Sequence, residues 1–241
     1  LRARDGTLPT AAGEATLGAA RRMEGSALDL RPRIEGLDDS PAGLVRVTST
    51  DSIATEFLLP AIERLQQRWP GIRVDLEVST HMLNLGRRQA DIAFRNVRPE
   101  APALEVRRVV AWPVGLFASA AYVARFGQPS AEDELRGHHL VVYGPFLEQR
   151  PVPTMVDVPA RQARIAMAAN SSLLVRKAVA AGIGLGEMPV SMGEREGLLR
   201  IWPQRQRSDD YEVWQVMHPD QQRTARVRVT AEFLAQGLGE T

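Results

Sequence analysis

Ten residues near the start of the chain set its expected architecture: Gly43-Leu44-Val45-Arg46-Val47-Thr48-Ser49-Thr50-Asp51-Ser52. The apolar residues that open this segment predict a short buried strand, and its hydroxyl-rich end predicts a polar loop. Apolar residues at helical spacing follow, at Phe57, Leu58, Ile62 and Leu65. The first N–H groups of a helix have no partner within the helix, so the turn directs these donors and its hydroxyls at one point. We expect a small molecule to bind there.

Length and composition indicate an ordinary globular protein. The chain has 241 residues, of which 44% are hydrophobic and 24% charged, so it can bury a core and is too apolar for a disordered chain. Its formal net charge of +1 gives no strong field for nucleic acid or membrane. The absence of cysteine excludes disulfides, thiolate metal sites and cysteine nucleophiles, and a cytoplasmic location is the default expectation. The longest nearly uncharged run, 109–124, is too short to cross a bilayer.

The first 37 residues predict a short remnant followed by a helix. Residues 1–12 are rich in turn formers and are compatible with a hairpin. Within 13–37, apolar residues recur at alternating steps of three and four, which predicts a dimerising helix, although an amphipathic helix packed on its own domain is the alternative. Pro32 should kink or end this helix. Because Leu1 is not a methionine and no signal segment opens the chain, we expect a fragment or a processed form.

Strands and helices alternate after a turn-forming linker at 38–43, which is typical of a parallel sheet with right-handed crossovers. Strands are predicted at 72–78 and 90–94, and two more, at 106–110 and 114–118, are expected to cross into a second unit. There, a strand, an Asn/Ser cluster and a helix ending at Gly182 repeat the opening pattern. The final helix follows a strand predicted at 212–216 and suggests a return to the first unit.

The sequence lacks the usual catalytic and metal-binding motifs. Its four histidines have no metal-ligand spacing, and the adjacent pair His138 and His139 is expected in a solvated loop. No nucleophile elbow or phosphate-binding loop occurs, and the glycines at 182–186 are interpreted as a helix C-cap and a tight entry into a strand. We expect neither an enzyme nor a metal or cofactor. An acid–base pair of Asp51 and His81 is a minor alternative.

Polar residues follow several predicted strands, at the edge where open α/β sheets bind ligands. They are Thr50, Asp51, Ser52, Thr80, His81, Arg95, Asn170, Ser171 and Ser172. Such residues also cap helices without any ligand, and capping is the alternative for each one alone. Two facing helix N-termini together with Arg95 favour an anionic ligand, most simply a small carboxylate.

Several short segments occur in an ordered series: Thr10-Ala11-Ala12-Gly13-Glu14, Gly43-Leu44-Val45-Arg46-Val47, Leu59-Pro60 with Trp69-Pro70, Ala90-Asp91-Ile92-Ala93-Phe94-Arg95, and Ala181-Gly182-Ile183-Gly184 with Met188-Pro189. The first is similar to the start of the linker helix in LysR-type transcriptional regulators, and the second to the first strand of their effector domain. In this order and spacing, the chain resembles such a regulator without most of its N-terminal winged helix-turn-helix domain.

The resemblance implies an α/β fold with two Rossmann-like lobes of the periplasmic-binding-protein type II kind, preceded by a long linker helix. The implied ranges are 1–12 for a wing remnant, 13–37 for the linker helix, 43–113 with 218–241 for lobe I, and 114–217 for lobe II. The candidate residues above, joined by Met188, would line the cleft between the lobes.

The implied function is effector sensing and oligomerisation in a bacterial regulator. A small, anionic effector would change the angle between the lobes of a homodimer or homotetramer, and promoter DNA would be contacted only through the missing N-terminal domain. Pro9 and Pro32 depart from the family pattern. A solute-binding protein for a transporter shares the fold and is the alternative, but the coiled-coil seam and the lack of a signal segment favour the regulator.

Overall fold

The computed structural model describes residues 2–3, 6–7, 16, 41–79, 90–149 and 152–239. The predicted linker helix, apart from residue 16, lies outside the described residues, as do Thr80, His81 and the short helix expected near 83–88. At the N-terminus, Arg2–Ala3 pairs with Gly6–Thr7 as an antiparallel hairpin, which agrees with the turn-rich opening.

Fourteen strands lie in the described ranges. In chain order they are β1 Arg2–Ala3, β2 Gly6–Thr7, β3 Gly43–Ser49, β4 Ile72–Val78, β5 Ile92–Arg95, β6 Glu105–Trp112, β7 Val114–Ala118, β8 His139–Tyr143, β9 Thr154–Met155, β10 Val158–Pro159, β11 Arg164–Ala169, β12 Gly186–Pro189, β13 Leu199–Ile201 and β14 Tyr211–Met217. The helices are α1 at 51–68, which includes a π-helical turn at Ala54–Leu58, α2 Ala120–Phe126, α3 Gly144–Gln149, α4 Ser172–Ala180, α5 Val190–Arg195 and α6 Ala225–Gly239, which follows a 3-10 turn at Pro219–Arg223.

Two sheets with the same strand order form the body of the protein. The first, in lobe I, runs β4-β3-β5-β14-β6, with β3 parallel to β4 and β5 and with β14 antiparallel to its neighbours. In lobe II, β11 pairs with β8, and β12 and β13 flank β7. Backbone bonds of Leu185 to His139 and Val141, both 2.8 Å, join these two groups into the order β11-β8-β12-β7-β13. The repeated pattern in the sequence therefore corresponds to two similarly wound lobes.

The chain passes between the lobes twice, and one predicted boundary needs correction. Pro113 separates β6 in the first sheet from β7 in the second. The return lies before Tyr211, because β14 pairs with both β5 and β6. The predicted range of lobe II, which ended at 217, therefore included a strand of lobe I. Val213 and Met217 are buried in the core of lobe I, which is why this strand stays with the first sheet.

Helices α1 and α6 cover one face of the first sheet with the apolar residues that the sequence placed there. Phe57, Leu58 and Leu65 of α1 are at most 2% exposed and pack in the same core as Leu234 and Leu238 of α6. The ring of Phe57 stacks on Trp112 at 4.4 Å between centroids. This packing fixes the N-terminus of α1 at the end of β3, where the site begins.

The glycine-rich segment after α4 has the structure expected of a C-cap. Gly182 lies in the left-handed region at φ 78°, and the amide of Ile183 donates to the carbonyl of Ala178 over 3.1 Å. Gly184 then passes so close to β8 that a Cβ atom there would lie 2.6 Å from the carbonyl oxygen of His139. These glycines allow the helix C-cap and the close approach to β8, as predicted.

The prediction of a solvated loop for the histidine pair at the start of β8 was wrong. His138 is only 7% exposed, and its Nδ1 lies 3.2 Å from the hydroxyl of Tyr122, which accepts a hydrogen bond from the amide of His139. The buried Tyr122 provides a polar partner within the lobe II core, so His138 does not need solvent.

Candidate ligand-binding site

A cavity of about 260 Å³ lies between the two lobes. Its size is slightly below the range of roughly 300–1,000 Å³ that is common for ligand pockets, so it suits a small molecule. The apolar part of its wall includes Val114, Val141, Val142, Met155, Val175 and Met188. The polar part includes Thr50, Asp51, Ser52, Tyr143, Ser172 and Tyr211.

The first bridge between the lobes is the Asp51 carboxylate at the N-terminus of α1. It accepts hydrogen bonds from the hydroxyls of Ser171 and Ser172, the latter at 2.8 Å, and it lies 3.4 Å from the amide of Leu173. These donors form the N-terminus of α4, where Ser171 is also the N-cap. A lobe I carboxylate therefore occupies the position where a helix N-terminus favours an anion.

The second bridge between the lobes is an ion-pair cluster one turn further along both helices. Glu56, in the π-helical turn of α1, contacts Arg176 of α4 at 2.5 Å and Arg195 of α5 at 3.7 Å. Glu196 contacts Arg176 at 3.5 Å and Lys177 at 2.8 Å. Arg176 is 2% exposed, so this cluster holds a buried cation at the cavity wall.

Four polar atoms of cavity-lining residues are buried and make no hydrogen bond of standard geometry among the described residues. They are Oγ1 of Thr50, Nε and Nη1 of Arg176 and Oη of Tyr211. Burial raises the pKa of Tyr211, and the nearby Thr50 hydroxyl acts in the opposite direction. Burial also raises the pKa of Tyr143, and the negative charge of Asp51 adds to that effect. Both phenols thus remain protonated donors facing the cavity.

The cavity wall also contains the largely buried carboxylate of Glu187, which holds a strained turn. Burial raises the pKa of Glu187, whereas the hydrogen bond from the Val156 amide, at 2.5 Å, lowers it. Val156 has φ 44°, which is unusual for a β-branched residue, and the bond to Glu187 helps to hold it there. Arg207 lies 3.7 Å from Glu187 and also pairs with Asp209 at 3.0 Å.

The structure brings together most of the predicted site residues that it describes. Thr50, Asp51, Ser52, Ser172 and Met188 line the cavity. Ser171 joins them through its bond to Asp51, although it is not itself part of the wall. Asn170 is exposed and does not line the cavity.

Arg95 does not line the cavity either, although the sequence placed it there. Its Nη2 donates to Oγ1 of Thr48 at 2.9 Å, and burial lowers its pKa. Side chains of a strand alternate between faces, and Arg95 shares the face of Ala93, opposite the face on which Phe94 enters the core under α1. The next residue, Asn96, lines the cavity instead.

The sequence did not identify Arg176, Glu187, Arg207 or Tyr211. One signal pointed to Arg176, since it lies four residues after Ser172 and therefore on the same face of α4. Tyr211 was hidden because β14 was assigned to the other lobe. Within the described ranges, no group of three or more metal-ligating side chains occurs, and every helix is too short or too polar to span a bilayer.

The model of the LysR substrate binding domain family matches residues 38–239. The chain belongs to this family. It is 28% identical over 207 residues to the HTH-type transcriptional regulator CrgA of Neisseria meningitidis serogroup C, across 83% of this chain and 68% of CrgA. It is 23% identical over 134 residues to the HTH-type transcriptional activator AaeR of Escherichia coli K12, across 56% of this chain and 43% of AaeR.

Solved structures of LysR-type regulators have the same fold. The regulatory domain of CrgA from Neisseria meningitidis gives a TM-score of 0.73 at 24% identity, covering 83% of this chain and all of that domain. The full-length virulence activator AphB of Vibrio cholerae gives 0.66 at 22% identity, covering 98% of this chain and 82% of AphB. The predicted α/β fold of two lobes of the periplasmic-binding-protein type II kind is confirmed.

Membership of the LysR family also decides between the two predicted functions. The chain is the effector-sensing part of a LysR-type transcriptional regulator, as the resemblance implied. The alternative, a solute-binding protein for a transporter, is not favoured, and the relatives named above are transcriptional regulators, not enzymes.

Proposed function

We propose that this LysR family member binds a small anionic effector in the cavity between its lobes and thereby controls how firmly the lobes are held together. The observation that supports this most directly is the position of the cavity. Its wall contains Asp51 and Ser172 of the first bridge and Arg176 of the ion-pair cluster. A ligand in this space touches the groups that join the lobes, so its binding energy can differ between closed and open forms.

An anionic effector is favoured because the cavity contains hydrogen-bond donors that can bind negative charge. The N-terminus of α4 already accommodates a carboxylate, that of Asp51, which indicates that the surroundings stabilise this group. An anionic effector would compete with Asp51 for the same donors or engage the unpartnered ones beside it. Either outcome alters the contact between the lobes.

We further propose that the regulator acts in the cytoplasm as a homodimer or homotetramer, with promoter DNA contacted by an N-terminal domain and not by this portion. The coiled-coil seam predicted for residues 13–37 supports the oligomer, and the helix-turn-helix regulators among its relatives support the DNA partner. Sedimentation velocity tests the oligomer, since a monomer at micromolar concentration would contradict it.

Methionine methyl NMR tests where the effector binds. Met155, Met188 and Met192 line the cavity, whereas Met217 lies in the core of lobe I and serves as an internal control. Titration of protein carrying ¹³C-methyl methionine with a panel of small carboxylates, amides and amines should shift the three cavity methyl resonances and leave that of Met217 unchanged. A panel in which no compound shifts them, or in which only Met217 responds, would contradict a cavity effector.

A further inference from the structure

We infer that Arg176 and Thr50 are the specificity-determining residues of this cavity, and that together they receive the single carboxylate of an effector with an apolar body. This inference rests on the proposed effector cavity. It adds which residues bind the effector, that the effector carries one negative charge, and that the rest of the effector is apolar. It also moves the expected cation from Arg95 in lobe I to Arg176 in lobe II.

Arg176 is a buried cation whose guanidinium group is only partly hydrogen-bonded. It is 2% exposed, and its Nη2 is engaged by Glu56 while Nη1 has no partner in the described part of the chain. A buried donor without a partner costs about 1–3 kcal/mol, and more when it is charged. Guanidinium groups donate only, and they prefer planar carboxylates. A ligand oxygen is therefore the group that would remove this cost.

Thr50 and Tyr211 provide further donors from the other lobe. Thr50 is 6% exposed, and neither its Oγ1 nor Oη of Tyr211 makes a hydrogen bond of standard geometry within the ranges described. A hydrogen-bonding interaction with the hydroxyl of Thr50 lowers the pKa of Tyr211, so the two groups are neighbours and can both donate to a ligand. A carboxylate between Arg176 and Thr50 would thus take donors from both lobes.

Within the ion-pair cluster itself, the cations outnumber the carboxylates by one. The ion-pair cluster contains three cations, Arg176, Lys177 and Arg195, and two carboxylates, Glu56 and Glu196. The cluster thus has one positive charge in excess, which one carboxylate would balance.

A second carboxylate on the ligand would meet unfavourable surroundings. Glu187 and Asp209 also line the cavity, and Arg207 already pairs with both. Much of the remaining wall is apolar and includes Val141, Val142 and Met155. An apolar body fits this wall, whereas the second charge of a dicarboxylate would share the cavity with Glu187.

Calorimetry with matched probes tests the inference. We would titrate 3-methylbutanoate and phenylacetate, their neutral amides, and the dicarboxylate pentanedioate. The monocarboxylates should bind at least tenfold more tightly than the amides and than pentanedioate. Arg176→Gln should weaken the monocarboxylates at least tenfold and leave the amides within twofold, and Thr50→Val should weaken the monocarboxylates severalfold. Arg95→Gln, a matched buried arginine outside the cavity, should leave all affinities unchanged.

Glu196→Gln is a second variant for the case in which Arg176→Gln does not fold. This variant keeps Arg176 and its bridge to Glu56 but removes a competing carboxylate of the same lobe, so it should tighten monocarboxylate binding several-fold. Amides that bind as tightly as acids, or acids whose affinity changes with neither Arg176→Gln nor Glu196→Gln, would overturn the assignment while leaving an effector cavity intact. A panel in which no probe moves the methyl resonances of Met155, Met188 and Met192 would overturn the proposed function itself.

Discussion

At the scale of single residues, Asp51 connects the two lobes through one carboxylate. It receives hydroxyl hydrogen bonds from Ser171 and Ser172, and the amide of Leu173 lies within 3.4 Å. Hydrogen bonds to a charged acceptor contribute more than neutral ones. Asp51→Asn keeps the shape and removes the charge, so the free energy of unfolding should fall by roughly 1–2 kcal/mol. Urea unfolding measures this loss, and amide exchange at Leu173 should become faster.

The exposed Asp75 of β4 provides the control for this substitution. Asp75→Asn should change the free energy of unfolding by less than about 0.5 kcal/mol, as surface substitutions usually do. Equal effects of the two variants would mean that Asp51 does not hold the lobes together.

The site could be anticipated from the sequence only where local rules decide the position of a side chain. Thr50, Asp51 and Ser52 were found because a strand followed by a helix places its turn at the sheet edge, whatever the rest of the chain does. Arg176 was not found this way: its spacing from Ser172 places it on the same helix face, but its burial depends on Glu56, 120 positions earlier in the chain. Arg95 was misplaced because the last residue of a strand was chosen without regard to the alternation of its faces.

His138 should make stability depend on pH. Burial, assisted by the neighbouring His139, lowers the pKa of His138 below the ordinary value of 6.5. Above pH 6.5 the imidazole is neutral in both the folded and the unfolded chain. Below pH 6.5, His138 binds a proton in the unfolded chain but stays neutral in the folded chain. The free energy of unfolding therefore falls as the pH drops towards the folded pKa, by at most about 1.4 kcal/mol per pH unit.

Urea unfolding between pH 7 and pH 5 tests this dependence, with His138→Gln expected to flatten the slope. His218→Gln is the control, because it retains His138 and should retain the slope that His138 causes. If His138→Gln leaves the pH dependence unchanged, the proton is taken up elsewhere.

At the scale of elements, two helices begin with the same cap but in different surroundings. Ser119 caps α2 by accepting from the amide of Tyr122, and Ser171 caps α4 by accepting from the amide of Leu174. Only Ser171 also donates to Asp51 of the other lobe. Loss of a serine cap costs about 1 kcal/mol, so Ser119→Ala should cost that amount and Ser171→Ala about 1 kcal/mol more.

The excess cost of Ser171→Ala can be traced to the bridge by removing Asp51 first. In the background of Asp51→Ala, the free energies lost by Ser171→Ala and Ser119→Ala should become similar, as measured by urea unfolding. A difference that persists in that background would place the excess within α4 and not between the lobes.

Elements were predictable where a pattern is short and repeated, and less so where the backbone departs from it. Most of the longer strands and helices of both lobes follow from periodicity and from glycine or serine at the ends of elements, whereas the short β9, β10 and β13 and the short helices α3 and α5 were not predicted. The π-helical turn at Ala54–Leu58 gave no such signal, because its apolar residues read as an ordinary helix. Yet this turn carries Glu56 and thereby sets the second bridge.

At the scale of the whole molecule, the two sheets have the same strand order, and two polar bridges connect the lobes. Asp51 and Glu56 of α1 bind different donors of lobe II, the serines at the start of α4 and the arginines of α4 and α5. The cavity wall includes Asp51 of the first bridge and Arg176 of the second. The cavity can therefore stay closed only while both bridges are intact. Lobe closure should therefore be one cooperative event, biased by whichever ligand occupies the cavity.

A double-mutant cycle of Asp51→Asn and Glu56→Gln tests this cooperativity. Once one bridge is lost the lobes separate more easily, so the second substitution removes less, and the double variant should lose about 1 kcal/mol less than the sum of the single losses. Small-angle scattering should show the larger part of the expansion after the first substitution. Glu134→Gln, which breaks a surface ion pair with Arg161 inside lobe II, should instead be additive with Asp51→Asn. Additive losses at Asp51 and Glu56 as well would mean that the bridges open independently, and an effector that engages Arg176 could then loosen one helix without moving the lobes.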